Sequence, residues 1–256
     1  PGIKTAKGCS LGWRECKSDG TFTACQATPL CEAKLGGKCY YIAPSFGSDD
    51  SGSGTISSPW KSFKNINSNY SDSRPAKYVK LAPGDVVYLL GSGILSDRYT
   101  VDGGYSAPRI LYLRGVSGAR GLPITIKRYP GATVKIVSPN TFPAEVPIVT
   151  LDNASFIKLD NLDISGGYGG GILGIESHNI ELSNNYIHDI SGEEDNNLGG
   201  VHATGYPANW SIHHNKIQNV FDHREPSTAY LTNNSLAVFF RPKNLTFAYK
   251  ILSYSA

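Results

Sequence analysis

The 256-residue sequence predicts an all-β chain wound as a strand solenoid. Three observations lead there. Charged residues are only 18% of the chain while Gly contributes 28 residues, a balance that suits strands broken by turns. The stretch "NIELSNNYIHDI" (179–190) returns thirty residues later as "NWSIHHNKIQNV" (209–220). Ile180, Leu182, Asn185, Ile187 and Ile190 then fall on Trp210, Ile212, Asn215, Ile217 and Val220. "FIKLDNLDI" (156–164) fits the same frame 23 residues before the first copy, and "NLTFAYKIL" (244–252) fits it 35 residues after the second. A constant frame with unequal offsets is what equal rungs joined by loops of different length produce.

The elements follow in order. All five cysteines, Cys9, Cys16, Cys25, Cys31 and Cys39, lie within the first 39 residues. With no His beside them and no CxxC, they read as a disulfide-stapled module made in an oxidising compartment, over residues 1–38. Five is odd, which leaves one thiol free or paired between chains. The solenoid takes residues 39–256. "CYYIAPSFGSDDSGSGTISSPWKSFKNINSNY" (39–70) opens on a short strand and a Gly/Ser loop. A short capping helix is expected next, with Ser57 or Ser58 as its cap, Pro59 in its first turn, and Trp60, Phe63 and Ile66 on one face. "LAPGDVVYLLGSG" (81–93) is a turn and an apolar strand, and "SGARGLPITIKRYPGATVKIV" (117–137) is two alternating strands around a Pro-Gly turn. From residue 147 the repeat takes over. Each rung sends alternate residues inward and stacks on the next at about 4.8 Å. Asn185 and Asn215 share one turn position, where amides can bridge from coil to coil as in stacked strands.

"YYIAPSFGSDDSGSGTISSPWKSF", "LAPGDVVYLLGSG" and "GLPITIKRYPGATVKI" resemble the opening coils of right-handed parallel β-helix proteins of the pectate-lyase-like superfamily, in particular secreted polysaccharide lyases of families nine and six. The resemblance runs from residue 40 to about residue 220. It implies a right-handed parallel β-helix, an extracellular location, uronate-containing polysaccharides as ligands, and often calcium. Such lyases place a Lys or Arg base beside acidic calcium ligands, whereas no compact Asp cluster followed by a Lys stands in this sequence.

Charge and composition narrow the function. The net charge of +3 does not argue for a nucleic-acid partner, and no apolar run approaches the roughly 18 residues of a membrane span. The chain has no Met and no signal-peptide pattern, so it reads as a processed, secreted product, extracellular or at the cell surface. Glycosylation triplets at Asn69, Asn153, Asn209, Asn233 and Asn244 agree with that. Residues 1–130 carry 17 Lys and Arg against 9 Asp and Glu, or +8, and residues 131–256 carry 7 against 12, or −5. Coils that stack in chain order put these halves at opposite ends of a rod, and the last copy, "NLTFAYKILSYSA", stops on a strand pattern without a cap. The leading expectation is a secreted structural subunit that associates with itself head to tail into a fibre or surface layer and needs no cofactor, which leans against an enzyme while leaving that question open.

The alternative is a polysaccharide lyase or a glycan-binding β-helix with an extracellular acidic polysaccharide as partner. For β-elimination, Arg241 and Lys243 are the candidates to remove the proton or neutralise the developing charge, with His202 one coil earlier. All six histidines lie between residues 178 and 223 and read mainly as outward decoration of the rungs. Glu193, Glu194 and Asp195, in "SGEEDNN", offer hard oxygen ligands for calcium, though a solvated acidic loop explains them as well.

Overall fold

The computed structural model describes Thr21 and residues 30–68, 75–97, 109–138, 146–166, 170–192, 199–222, 236–240, 243–248 and 251–253. Period-two alternation has become three parallel sheets that wrap one core. Sheet A holds β1 (Cys39–Ile42), β2 (Val86–Leu89), β5 (Ile124–Arg128), β8 (Ser155–Asp160), β11 (His178–Ser183), β14 (Ala208–His213) and β17 (Lys243–Ala248), in that order. Sheet B runs β4 (Leu111–Arg114), β7 (Val149–Asp152), β10 (Ile172–Ile175), β13 (Gly199–Thr204) and β16 (Leu236–Phe240). Sheet C runs β3 (Ser92–Leu95), β6 (Thr133–Ser138), β9 (Asp163–Gly166), β12 (Tyr186–Gly192), β15 (Lys216–Asp222) and β18 (Ile251–Ser253). Each coil passes through B, then A, then C, and each strand pairs with the same strand one coil away. This is a parallel β-helix.

The register reproduces the sequence frame. Ile157 pairs with Ile180, and Leu159 with Leu182, which pairs in turn with Ile212. Trp210 pairs with Leu245, Ile212 with Phe247, and Ile217 with Leu252. The inward residues of these strands, among them Ile126, Leu159, Leu182 and Ile212, are buried in one continuous cluster. Each buried aliphatic side chain contributes about 1.5–3 kcal/mol relative to exposure. Alternation thus decides which face closes on the core.

Corners between sheets A and C are built from one left-handed residue and one buried residue. Asn161, Asn184 and His214 have φ of 54°, 56° and 55°, and Asn and His tolerate that region better than most residues. The buried positions after them are Leu162, Asn185 and Asn215. Asn185 Nδ2 donates to Asn215 Oδ1 and to Leu159 O, each at 2.9 Å, and Asn185 Oδ1 accepts from Leu162 N–H at 2.9 Å. Asn215 Nδ2 donates to Leu182 O at 2.7 Å. The amides therefore satisfy corner carbonyls and N–H groups that no strand can reach. One coil before Leu162 the corner is the longer Tyr129–Ala132 turn, and the amide column does not extend there.

The short capping helix is not formed. Residues 57–66 are turns and bends with isolated bridges at Ser58 and Trp60, although Trp60, Phe63 and Ile66 are all buried in the main core as their spacing predicts. The reason lies in the backbone. Trp60 N–H donates to Tyr41 O at 3.0 Å and Trp60 O accepts from Ala43 N–H at 2.7 Å, so the edge of β1 takes both groups a helix would need. Asp49 Oδ1 takes the N–H groups of Lys61 and Ser62. Only Ile66 and Asn67 then close a single turn on Phe63 O. Further on, Asn67 Nδ2 donates to Ile110 O and Ser68 N–H donates to Tyr112 O, which ties the segment to sheet B as well. The segment covers the first coil as a strand-edge plug.

Candidate functional site

The outward residues of sheet A form two columns. One runs Cys39, Val86, Thr125, Lys158, Glu181, Ser211; the other runs Tyr41, Tyr88, Lys127, Asp160, Ser183, His213. The columns change character between β2 and β5. On β1 and β2 they are apolar or aromatic and covered; from β5 onward they are charged and polar.

Residues 30–38 make the cover. Cys31 and Cys39 form a disulfide that ties this segment to the start of β1. Tyr41 Oη donates to Leu30 O at 2.9 Å, while Tyr129 and Tyr88 Oη accept from Leu30 and Glu32 N–H at 3.1 and 3.3 Å. Lys34 N–H donates to Gly84 O, and Lys38 N–H to Asp85 Oδ1 at 2.7 Å. Tyr41, Tyr88 and Tyr129 pack together with Leu30 and Ala33 against them. Burial, then the nearby Tyr129, pushes Tyr41 up from 10.0 to about 12, and burial, then the charge of Glu32, raises Tyr88 as well. A raised folded value means this stability is fully present below pH 10 and is lost as pH climbs through the folded values. Phenolate absorbance during an alkaline titration should show Tyr41 and Tyr88 ionising after the exposed tyrosines, together with release of residues 30–38. Phenylalanine variants at 41 and 88 that leave the late phase unchanged would refute this assignment.

Beyond the cover lies a groove of about 270 Å³ lined by Glu32, Lys34, Thr125, Lys127, Lys158, Asp160 and Glu181. Lys127 Nζ stands 2.9 Å from Glu32 Oε2 and 3.8 Å from Asp160 Oδ2. Lys158 Nζ stands 2.7 Å from Glu181 Oε1, which also lies 3.3 Å from His213 Nε2. Asp160 Oδ1 accepts from Ser183 Oγ and Asn184 Nδ2, each at 2.8 Å. Asp160 and Glu181 sit on adjacent strands two residues out of step, which separates their backbones by about 8 Å. These pairs are half-exposed, so they add little to stability. Their effect is to hold ammonium and carboxylate groups at fixed points where a polar ligand can meet them.

The residues singled out from sequence are placed differently. His202 lies on β13 in sheet B, and burial holds its pKa below the ordinary imidazole value. Lys243 opens β17 in sheet A opposite Ala208, so these two stand on different sheets. Arg241, Glu193, Glu194 and Asp195 lie outside the described residues, as do Cys9, Cys16, Cys25, Asn69 and Asn233. Asn153 is exposed at a corner with φ of 51°, Asn209 is exposed on β14, and Asn244 lies on β17. Among the described residues, no group of three His, Cys, Asp or Glu converges as a metal site. His188 stands on the outside of sheet C with its ring nitrogens 3.1 Å from Asp163 and 2.6 Å from Asp189.

The sequence reading missed Lys127, Lys158, Asp160 and Glu181 because they are scattered along the chain. The signal was present in the frame itself. An offset of 23 residues sets Lys158 on Glu181, and the outward positions of aligned rungs form the columns.

The fold is a parallel β-helix. No family model matches the chain, and no curated protein matches it. Among solved structures, a GH136 lacto-N-biosidase from Eubacterium ramulus is similar with a TM-score of 0.51 and 19% identity, covering 84% of this chain and 41% of that one. A rhamnogalacturonan lyase gives 0.46 and 14%, covering 85% of this chain and 66% of that one. Pectate lyase Pel9A gives 0.44 and 14%, covering 71% and 48%. The chain thus spans about two fifths of the length of the lacto-N-biosidase chain, and that likeness concerns the fold alone.

Proposed function

We propose that the outer groove of sheet A binds carbohydrate, with a uronate-containing polysaccharide as the ligand class. The observation that carries this reading is the row of pre-paired charges from Lys127 and Asp160 to Lys158 and Glu181, set across three successive coils. Lysine ammonium groups meet sugar carboxylates, and Asp160 and Glu181 meet sugar hydroxyls, with buried Ser183 holding Asp160 in place from beneath. The name of the lacto-N-biosidase that shares the fold supports a carbohydrate ligand.

Calorimetric titration with pectate or alginate tests the reading, alongside absorbance of unsaturated uronate products with and without calcium. The wild type should bind, more weakly at high salt. Alanine at Lys127 or Lys158 should each weaken binding about ten- to a hundredfold, since a charged hydrogen bond contributes about 1.5–3 kcal/mol. A wild type that binds no uronate polymer, or a double variant that binds unchanged, overturns it.

Head-to-tail self-association is a second reading. Strand order follows chain order in all three sheets, which supports separation of the basic first half from the acidic second half along the stack. Light scattering should then show assemblies that shrink as salt rises. A monodisperse monomer at every salt and protein concentration would sink it.

A further inference from the structure

We infer that the segment 30–34 is an end wall of the sheet A groove, so that the site reads the terminus of a polysaccharide chain and not its interior. This rests on the carbohydrate reading above and adds the mode of recognition.

Three observations carry it. First, the outward columns change from Cys39, Val86, Tyr41 and Tyr88 to Thr125, Lys127, Lys158 and Asp160 in a single step between β2 and β5. The polar path therefore has a built beginning. Second, Glu32 and Lys34 both line the groove at that step, and Glu32 is ion-paired across it to Lys127 at 2.9 Å. A ligand lying along the columns meets main chain there. Third, the wall is fastened from several sides. The Cys31–Cys39 disulfide, three tyrosine hydroxyls on Leu30 and Glu32, and the Lys34 to Gly84 hydrogen bond all hold it against sheet A. Chain displacement by a passing polymer must break these together.

The opposite direction differs. The columns continue through Glu181 and Ser183 to Ser211 and His213, and every one of these side chains is polar. From β5 to β14 the path is about 14 Å long, at about 4.8 Å per coil. A terminal sugar would sit against Glu32 and Lys34, with Lys127 and Asp160 beneath it, and the chain would leave over Lys158 and Glu181.

The test is the stoichiometry of the full chain with size-fractionated oligouronates and with the long polymer, measured by calorimetry. The inference expects one protein per saccharide chain at every length, with affinity per chain constant once the oligomer fills the groove. It also expects the Cys31→Ser/Cys39→Ser variant with Tyr129→Phe, its wall loosened, to bind more copies per chain as the polymer lengthens. Folding of that variant is checked by circular dichroism of the sheet. A wild-type stoichiometry that grows in proportion to length overturns the inference, and so does a folded, loosened variant that still stops at one. No binding by the wild type to any oligomer or polymer is a separate result, which removes the carbohydrate reading and this inference with it.

Discussion

Replacing Trp210 by alanine is expected to destabilise the protein by about 4 kcal/mol, among the largest costs of any single truncation in this core. Trp210 is 2% exposed, and its Nε1 donates to Ser177 O at 2.9 Å, so truncation opens a cavity and leaves a buried carbonyl without that donor. The indole is accommodated by Gly174 on the neighbouring strand of sheet B. A Cβ at Gly174 would lie 2.4 Å from Trp210 Cζ2 and 2.6 Å from Cη2. Gly174→Ala should therefore also destabilise, by about 1–3 kcal/mol from overpacking. Combining it with Trp210→Phe should cost less than the two changes added separately, because the smaller ring makes room for the methyl group. In a chain of this size each kcal/mol lowers the melting temperature by about 2–4 °C, so Trp210→Ala should melt roughly 8–16 °C below the wild type. A drop of only a degree or two would show that the indole is not packed as described.

Asn185→Ala should cost about 3 kcal/mol or more. Asn185 is 1% exposed, and its side chain is the partner of Leu159 O and Leu162 N–H on either side of the neighbouring coil's corner. Each buried group left without a partner costs about 1–3 kcal/mol. Asn185→Asp should be no better, since a carboxylate offers no donor to Leu159 O or to Asn215 Oδ1. Urea unfolding measures both, with the exposed corner residue Asn184→Ala as the comparison expected to change stability less. Equal midpoints for Asn185→Ala and Asn184→Ala would remove the case for the amide column.

The coil-to-coil frame was legible in the sequence because inward positions obey two constraints at once, apolarity and period two. Ile157, Ile180, Leu182, Trp210 and Ile212 satisfy both, and their register could be written down from the repeat. The capping segment was half legible. Its apolar spacing placed Trp60, Phe63 and Ile66 correctly in the core, but local helix signals said nothing of the β1 edge, which takes the backbone of Trp60 through long-range hydrogen bonds. The groove was the least legible part. Lys127, Lys158, Asp160 and Glu181 have no local signature, and they meet only after the rungs are aligned and the outward residues are read across strands. The attachment of the Leu30–Glu32 segment was beyond reach altogether, because the hydroxyls of Tyr41, Tyr88 and Tyr129, far apart in the chain, set it.

The strict inside–outside alternation of sheet A gives the chain two scripts on one strand. Inward letters need only be apolar and of suitable volume, so Ile, Leu, Val and Trp exchange there while the coil keeps its path. Outward letters are free of that requirement and, from β5 onward, carry charged and polar groups. Divergence can therefore rewrite the columns from Thr125 to His213 without touching the stack beneath them. The stack fixes the shape of the coil, and its outer face can be composed coil by coil.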